Sequence, residues 1–172
     1  VIRSSVQNLQ KALNGVVVMT TELKAVSNSL QSGKVPLVWA RASYTSLKPL
    51  GSYFNDLLER ISFVQKWFDN NQPSSFWISG FYFPQSFLTG VLQNFANKYA
   101  IPIDMLTFDF QVMPKDYCEE KPADGAYVYG LFVEGARWDR NEGVLAEQLP
   151  KVLYDRMPIV WIKPVKKTDL KV

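Results

Sequence analysis

A change of hydrophobic period near residue 102 constrains the fold more than any other feature of this sequence. Before it, apolar residues recur at steps of three and four, the spacing of one helical face. Over residues 106–112 they fall at every second position, as in a strand with one buried face. Helices followed by strands predict the α+β class, with a helical lobe over residues 1–102 and a β lobe over residues 103–172.

Four helices are predicted in the first lobe. Two packed helices explain an apolar stripe that slips in phase at Gly15, and Gly33 is expected to end the second of them. A third begins near Ser52, a good N-cap residue, and a fourth at Pro84, since proline suits a first helical turn. Residues 34–51 are predicted to connect the second helix to the third.

Three strands are predicted in the second lobe. Besides residues 106–112, residues 126–133 are apolar on both faces, so a strand there must be covered on both sides. Residues 159–162 form the third, between Pro158 and Pro164. Three strands neither close a barrel nor complete a sandwich. The sheet is therefore expected to pair with something else or to lack some of its own strands.

The sequence lacks the residue types on which most catalytic and metal sites depend. The sequence has no histidine and one cysteine, Cys118, which excludes a Ser-His-Asp triad, a Cys-His pair, histidine ligands and an internal disulfide. Cys118 stands beside Glu119 and Glu120, an acidic setting that argues against a catalytic thiol. We predict no catalytic, cofactor-binding or metal-binding residue, and no enzyme activity. A hydrolase would need a carboxylate pair, for which the candidates are Asp104, Asp109, Asp139 and Glu142.

Composition and charge restrict the partners. Hydrophobic residues make up 47% and charged residues 20%, which is typical of a globular protein. The net charge of +3 is scattered, and no apolar run approaches the roughly 20 residues of a membrane span, so neither nucleic acid nor a membrane is expected. The lone cysteine indicates a reducing, cytosolic compartment. The chain opens on Val1, and we expect it to be a piece of a longer protein.

Residues 76–85 are unusually aromatic. We interpret this segment as a structural hinge that places rings between a helix and the sheet. The alternative is a binding module whose rings form an exposed stacking platform for carbohydrate or single-stranded nucleic acid. The residues singled out here are Trp77, Gly80, Phe81, Phe83 and Pro84.

Residues 130–139 form a second unusual stretch. Gly130 and Gly135 permit tight backbone turns, and Arg137 and Asp139 flank Trp138. We interpret the stretch as the exit of a strand with a surface ion pair, and a ligand-binding loop is the alternative.

Five segments in register resemble the C-terminal region of dynein heavy chains. They are residues 16–19, 43–50, 77–90, 130–138 and 149–155. The resemblance covers essentially the whole sequence. The residues in these segments resemble axonemal heavy chains, of the inner-arm type, more than the cytoplasmic heavy chain.

The resemblance implies a role in a motor. In this family a ring of AAA+ ATPase modules carries the ATP and magnesium sites, and a stalk carries the microtubule site. The C-terminal region packs on one face of that ring, braces it and tunes force, without hydrolysing anything itself. Its partners would be the ring of the same heavy chain and, through the parent protein, microtubules and other dynein subunits. The expected location is the cytoplasm of cilia and flagella, at the axoneme.

The resemblance also implies a helical portion followed by a small antiparallel β-barrel. The family continues beyond residues 157–161 with further strands that this sequence lacks. The barrel is therefore expected to be incomplete and to leave an exposed sheet edge.

Overall fold

A computed structural model describes residues 1–170 and confirms the α+β class. Within these residues the α-helices are α1 (Ile2–Leu13), α2 (Thr21–Gln31), α3 (Leu37–Ala40), α4 (Leu50–Asn70) and α5 (Pro84–Tyr99). The strands are β1 (Ser75–Trp77), β2 (Leu106–Val112), β3 (Ala126–Tyr129), β4 (Phe132–Glu134), β5 (Ala136–Asp139), β6 (Val144–Glu147), β7 (Tyr154–Arg156) and β8 (Val160–Lys166). Single 3₁₀ turns lie at Ile78–Gly80 and Ile103–Met105.

Four strands form one mixed sheet in the order β1-β3-β8-β2. β1 runs parallel to β3, and the other two pairings are antiparallel. β4 with β7 and β5 with β6 form two antiparallel ribbons. Over residues 1–170 these strands do not close into a barrel.

The protein divides into two compact units, Val1–Ser62 and Phe63–Val172, with the division inside α4. In the second unit α5 shares the core of the four-stranded sheet, because Phe87, Leu88 and Val91 pack against it. The domain bounds predicted from sequence, residues 1–102 and 103–172, were placed where the hydrophobic period changes. They remain a prediction.

The first unit packs the predicted helices α1 and α2, the unpredicted α3 and the start of α4 around Leu9, Val26 and Trp39. The phase slip at Gly15 is a real break, since α1 ends at Leu13 and Gly15 takes a φ of +73°. The helix predicted to start near Ser52 is α4, and it begins at Leu50, two residues before the predicted N-cap. The predicted connector is not wholly irregular: α3 lies within it, and its Trp39 donates an indole hydrogen bond to Ser5 Oγ (2.7 Å).

The prediction of one strand over residues 126–133 was wrong. The backbone turns at Gly130, with a φ of +84°, so that β3 joins the four-stranded sheet and β4 pairs with β7 instead. The last strand is longer than predicted and runs through Pro164. Proline is tolerated there because β3 pairs only up to Ile162, so Pro164 has a paired neighbour on the β2 side alone.

Candidate functional site

The aromatic segment predicted as a hinge consists of a strand, a turn and a helix start. Phe76 in β1 and Ile78 in the following 3₁₀ turn are buried in the core of the second unit. Pro84 occupies the first turn of α5, as predicted, where its missing N–H costs no helical hydrogen bond. The segment therefore joins two elements of one core.

The two motifs predicted from sequence meet at the ring of Trp77. A Cβ atom on Gly130 would lie 2.7 Å from Trp77 Nε1, and one on Gly80 would lie 2.7 Å from Trp77 Cδ2. Real Cβ atoms do not approach other atoms so closely, so both positions are restricted to glycine while the ring stays in place. Ser79 Oγ donates a hydrogen bond to the carbonyl of Gly130 (3.2 Å), which links the 3₁₀ turn to the end of β3. We call Trp77, Gly80 and Gly130 the tryptophan clamp.

Phe81 lies in the same ring cluster. It stacks on Phe87 with 4.8 Å between ring centroids, and its edge contacts include Phe63 at 5.7 Å. Trp77 meets Phe63 in a T-shaped contact at 6.2 Å. Phe83 differs, with 73% of its surface exposed. A stacking platform needs all three rings at the surface, and Trp77 and Phe81 are half-buried, so the geometry gives the binding-module alternative little support.

The second motif forms the junction between β4 and β5. Gly135, with a φ of +70°, makes the turn, and Arg137 Nη1 pairs with Asp139 Oδ2 at 3.0 Å, as the strand-exit interpretation expects. The backbone of Trp138 donates to Asp155 Oδ2 (3.2 Å), which ties β5 to β7. Trp138 therefore links β5 to β7, whereas the Arg137–Asp139 ion pair lies within β5.

The four candidate carboxylates lie on separate elements or serve structural contacts. Asp139 Oδ1 accepts hydrogen bonds from the backbone of Asn141 (2.9 Å) and Glu142 (3.3 Å), which lower the pKa of Asp139 and shape the β5–β6 turn. Asp109 lies in β2, 3.8 Å from Lys163 Nζ, and Asp104 lies in a 3₁₀ turn. Over residues 1–170 no group of three or more Cys, Asp or Glu side chains is arranged to hold a metal ion.

Sequence reasoning missed a buried ionic network in the first unit. Asp56, only 6% exposed, accepts from Lys48 Nζ (2.6 Å) and from Arg60 Nε (2.7 Å). The Arg60 guanidinium lies over the ring of Tyr44, 3.8 Å from its centroid. Tyr44 and Lys48 both belong to residues 43–50, so the network is a physical reason for that motif. The available signal was the i, i+4 spacing of Asp56 and Arg60 on α4.

The charge state of Asp56 follows from its partners. Burial acts to raise the pKa of Asp56, but hydrogen bonds from Lys48, Tyr44 and Arg60 outweigh it and lower the pKa from 3.8 to about 2. The pKa of the Tyr44 hydroxyl is raised, first by burial and then by the neighbouring carboxylate. The network thus contains one carboxylate that stays ionised and a tyrosine that stays neutral.

Comparison with known proteins agrees with this arrangement. Residues 1–172 match the family model of the C-terminal domain of the dynein heavy chain, and this protein belongs to that family. It is 56% identical over 169 residues to dynein axonemal heavy chain 12 of Mus musculus and 57% identical over 165 residues to dynein axonemal heavy chain 3 of Homo sapiens. Dynein axonemal heavy chain 1 of Homo sapiens is 49% identical over 166 residues. The resemblance to the C-terminal region of axonemal dynein heavy chains is therefore confirmed.

The matched region is a small part of each relative. It covers 98% of this protein but 6% of heavy chain 12, and 95% of this protein but 4% of heavy chains 3 and 1. Across residues 1–170 none of the helices is both long enough and apolar enough to cross a membrane.

Proposed function

We propose that this protein is the non-catalytic C-terminal cap of an axonemal dynein heavy chain. In that role it braces the ATPase ring of its own heavy chain and modulates microtubule-based motility of the ciliary or flagellar axoneme. ATP and magnesium belong to the ring, and microtubules and other dynein subunits are reached through the parent protein. Family membership and the share of each relative that is matched support this proposal.

The observation that carries the proposal is an exposed apolar loop in the first unit. Leu13, the last residue of α1, and Val16, Val17 and Val18, in the connection to α2, are between 44% and 81% exposed. Burying a valine or leucine side chain stabilises a protein by about 1.5–3 kcal/mol, so leaving four together in water is costly. An apolar surface of this kind marks an interface. We assign it to the ring, because three of these residues lie in one of the five segments that resemble dynein.

Amide hydrogen exchange tests the assignment. Exchange of residues 13–18 is measured in the 172-residue protein and in a full-length axonemal heavy chain with the same sequence. The loop is expected to become protected in the heavy chain, because the ring covers it. Equal exchange in both proteins would overturn the proposed contact.

Motility provides the functional test. The double variant Val17→Asp, Val18→Asp in the full heavy chain is expected to change gliding velocity or stall force, since the charges disrupt the contact. Thr45→Asp, at an exposed polar position of the same unit, is the matched control. The 172-residue protein alone is expected to show no ATP turnover above a blank, and clear turnover would contradict a non-catalytic role.

A further inference from the structure

A cavity of about 440 Å³ opens on the surface of the second unit, and its lining includes none of the three residues of the tryptophan clamp. It lies among the C-terminal end of α4, the segment before β1, the loop after β2, and strands β3 and β7. Its volume falls within the usual range for binding sites, roughly 300–1,000 Å³. The lining residues that matter here are Lys66, Trp67, Asp116, Tyr117, Tyr129 and Arg156.

The charge of this cavity is positive. Lys66 and Arg156 have no carboxylate within ion-pair distance among residues 1–170, whereas the lining carboxylate, Asp116, is held by Arg140 at 2.6 Å and 3.0 Å. Arg140 and, more weakly, Arg156 lower the pKa of Asp116. Burial raises the pKa of Tyr129, and the charge of Arg156 opposes that rise. Among residues 1–170, two cations therefore line one concave surface without a carboxylate at ion-pair distance.

The aromatic and polar residues that line the rest of the cavity favour a peptide ligand over a small inorganic anion. Trp67 and Tyr117 contribute aromatic surface, and 66% of Tyr117 is exposed. Asn70, Asn71 and Ser75 add amide and hydroxyl groups that can bind a peptide backbone. Arginine and lysine beside aromatic rings form a common recognition surface for acidic peptide motifs.

We propose that this cavity binds an acidic peptide segment, with an anionic side chain on Lys66 and Arg156 and the adjoining residues against Trp67 and Tyr117. The assignment rests on charge complementarity and does not depend on the proposed contact with the ring. We name it the acidic-peptide site. Its two cations are exposed and make no ion pair among residues 1–170, so replacing them leaves the core intact.

The test is a titration of the 172-residue protein with hexaglutamate and with hexaglutamine, followed by calorimetry at low ionic strength. Hexaglutamate is expected to bind and hexaglutamine is not. Binding is expected to weaken about threefold in Lys66→Gln and in Arg156→Gln, and about tenfold in the double variant, since each exposed charge contributes modestly. Arg156→Lys is expected to restore most of the affinity.

Lys24→Gln, on an exposed position of α2 in the other unit, is the matched control for the loss of one positive charge. Equal weakening in Lys24→Gln and Arg156→Gln would show that only net charge matters and would overturn the site. A third titration uses inorganic phosphate as the ligand. If phosphate binds in a manner that needs Arg156 while hexaglutamate does not bind, the cavity is an anion site without peptide recognition, and the proposal fails.

Discussion

The indole ring of Trp77 occupies the space beside the Cα atom of Gly130 that a side chain at Gly130 would need. Two glycines and one ring thereby hold the end of β1 against the end of β3, the two strands that pair in parallel. Gly130 also turns the backbone out of the sheet, with a φ of +84°. The same residue thus provides space for the ring and separates β3 from β4.

Gly130→Ala is expected to destabilise the protein by about 2–5 kcal/mol, because it adds a steric clash to the strain of a left-handed backbone. Gly143→Ala separates the two causes: its φ is +68°, but a Cβ atom there meets nothing within 4 Å. It should lose only about 1–2 kcal/mol. Chemical denaturation followed by circular dichroism measures both values. Equal losses would mean that the Trp77 ring moves away freely.

Asp56→Ala is expected to destabilise the protein by about 3 kcal/mol. Removing the carboxylate leaves the largely buried Arg60 without its partner, and breaking a buried pair costs about 3–5 kcal/mol. The lower end applies because Lys48 is half exposed. Asp116→Ala, at an exposed pair with Arg140, is the control and should lose less than about 1 kcal/mol. Similar losses for both variants would contradict a buried network.

The stability of the wild-type protein is expected to fall as the pH drops below about 4. The pKa of Asp56 is lowered from 3.8 to about 2 in the folded protein. The ionised carboxylate therefore stabilises the folded state fully above pH 3.8, and this contribution is lost as the pH falls through about 2. The difference corresponds to about 2 kcal/mol. Denaturation of wild type and Asp56→Asn at pH 5 and pH 2.5 isolates this contribution. The gap between the two proteins should narrow at the lower pH, and a constant gap would contradict it.

Phe81→Ala is expected to destabilise the protein by about 3 kcal/mol, whereas Phe83→Ala should change stability by less than about 1 kcal/mol. The reason is that Phe81 packs on Phe63 and Phe87, and Phe83 is mostly exposed. Thermal unfolding measures both. The pair also addresses the stacking-platform alternative, which requires both rings at the surface and hence two small effects.

Local patterns explain the elements that sequence reasoning found. The start of α5 at Pro84 and the strand over residues 106–112 agree with prediction, since a helical period or an alternation is repeated enough to be recognised. The strands that were missed, β1 and β5 to β7, have three or four residues each. Such short segments carry too few repeats to show a period, and pairing with distant partners decides their conformation.

In the candidate site, too, the sequence indicated individual residues but not the contacts between them. Trp77, Gly80 and Gly130 stood out by residue type, but nothing in their spacing indicated that one ring contacts both glycines. Gly135, Arg137 and Trp138 also stood out, and they lie in the β4–β5 junction instead. The Asp56 network was missed because its partners Tyr44 and Lys48 lie in an irregular segment before α4.

The sequence by itself determined the α+β class, the end of α2, the start of α5 and the absence of histidine chemistry, because these depend on residue type and on neighbours along the polypeptide. Tertiary structure alone decided the sheet order, the split at Gly130, the clamp around Trp77 and the ionisation of Asp56. Each of these depends on atoms brought together from distant positions, where packing volume and burial set the energy, and a one-dimensional pattern does not encode those distances.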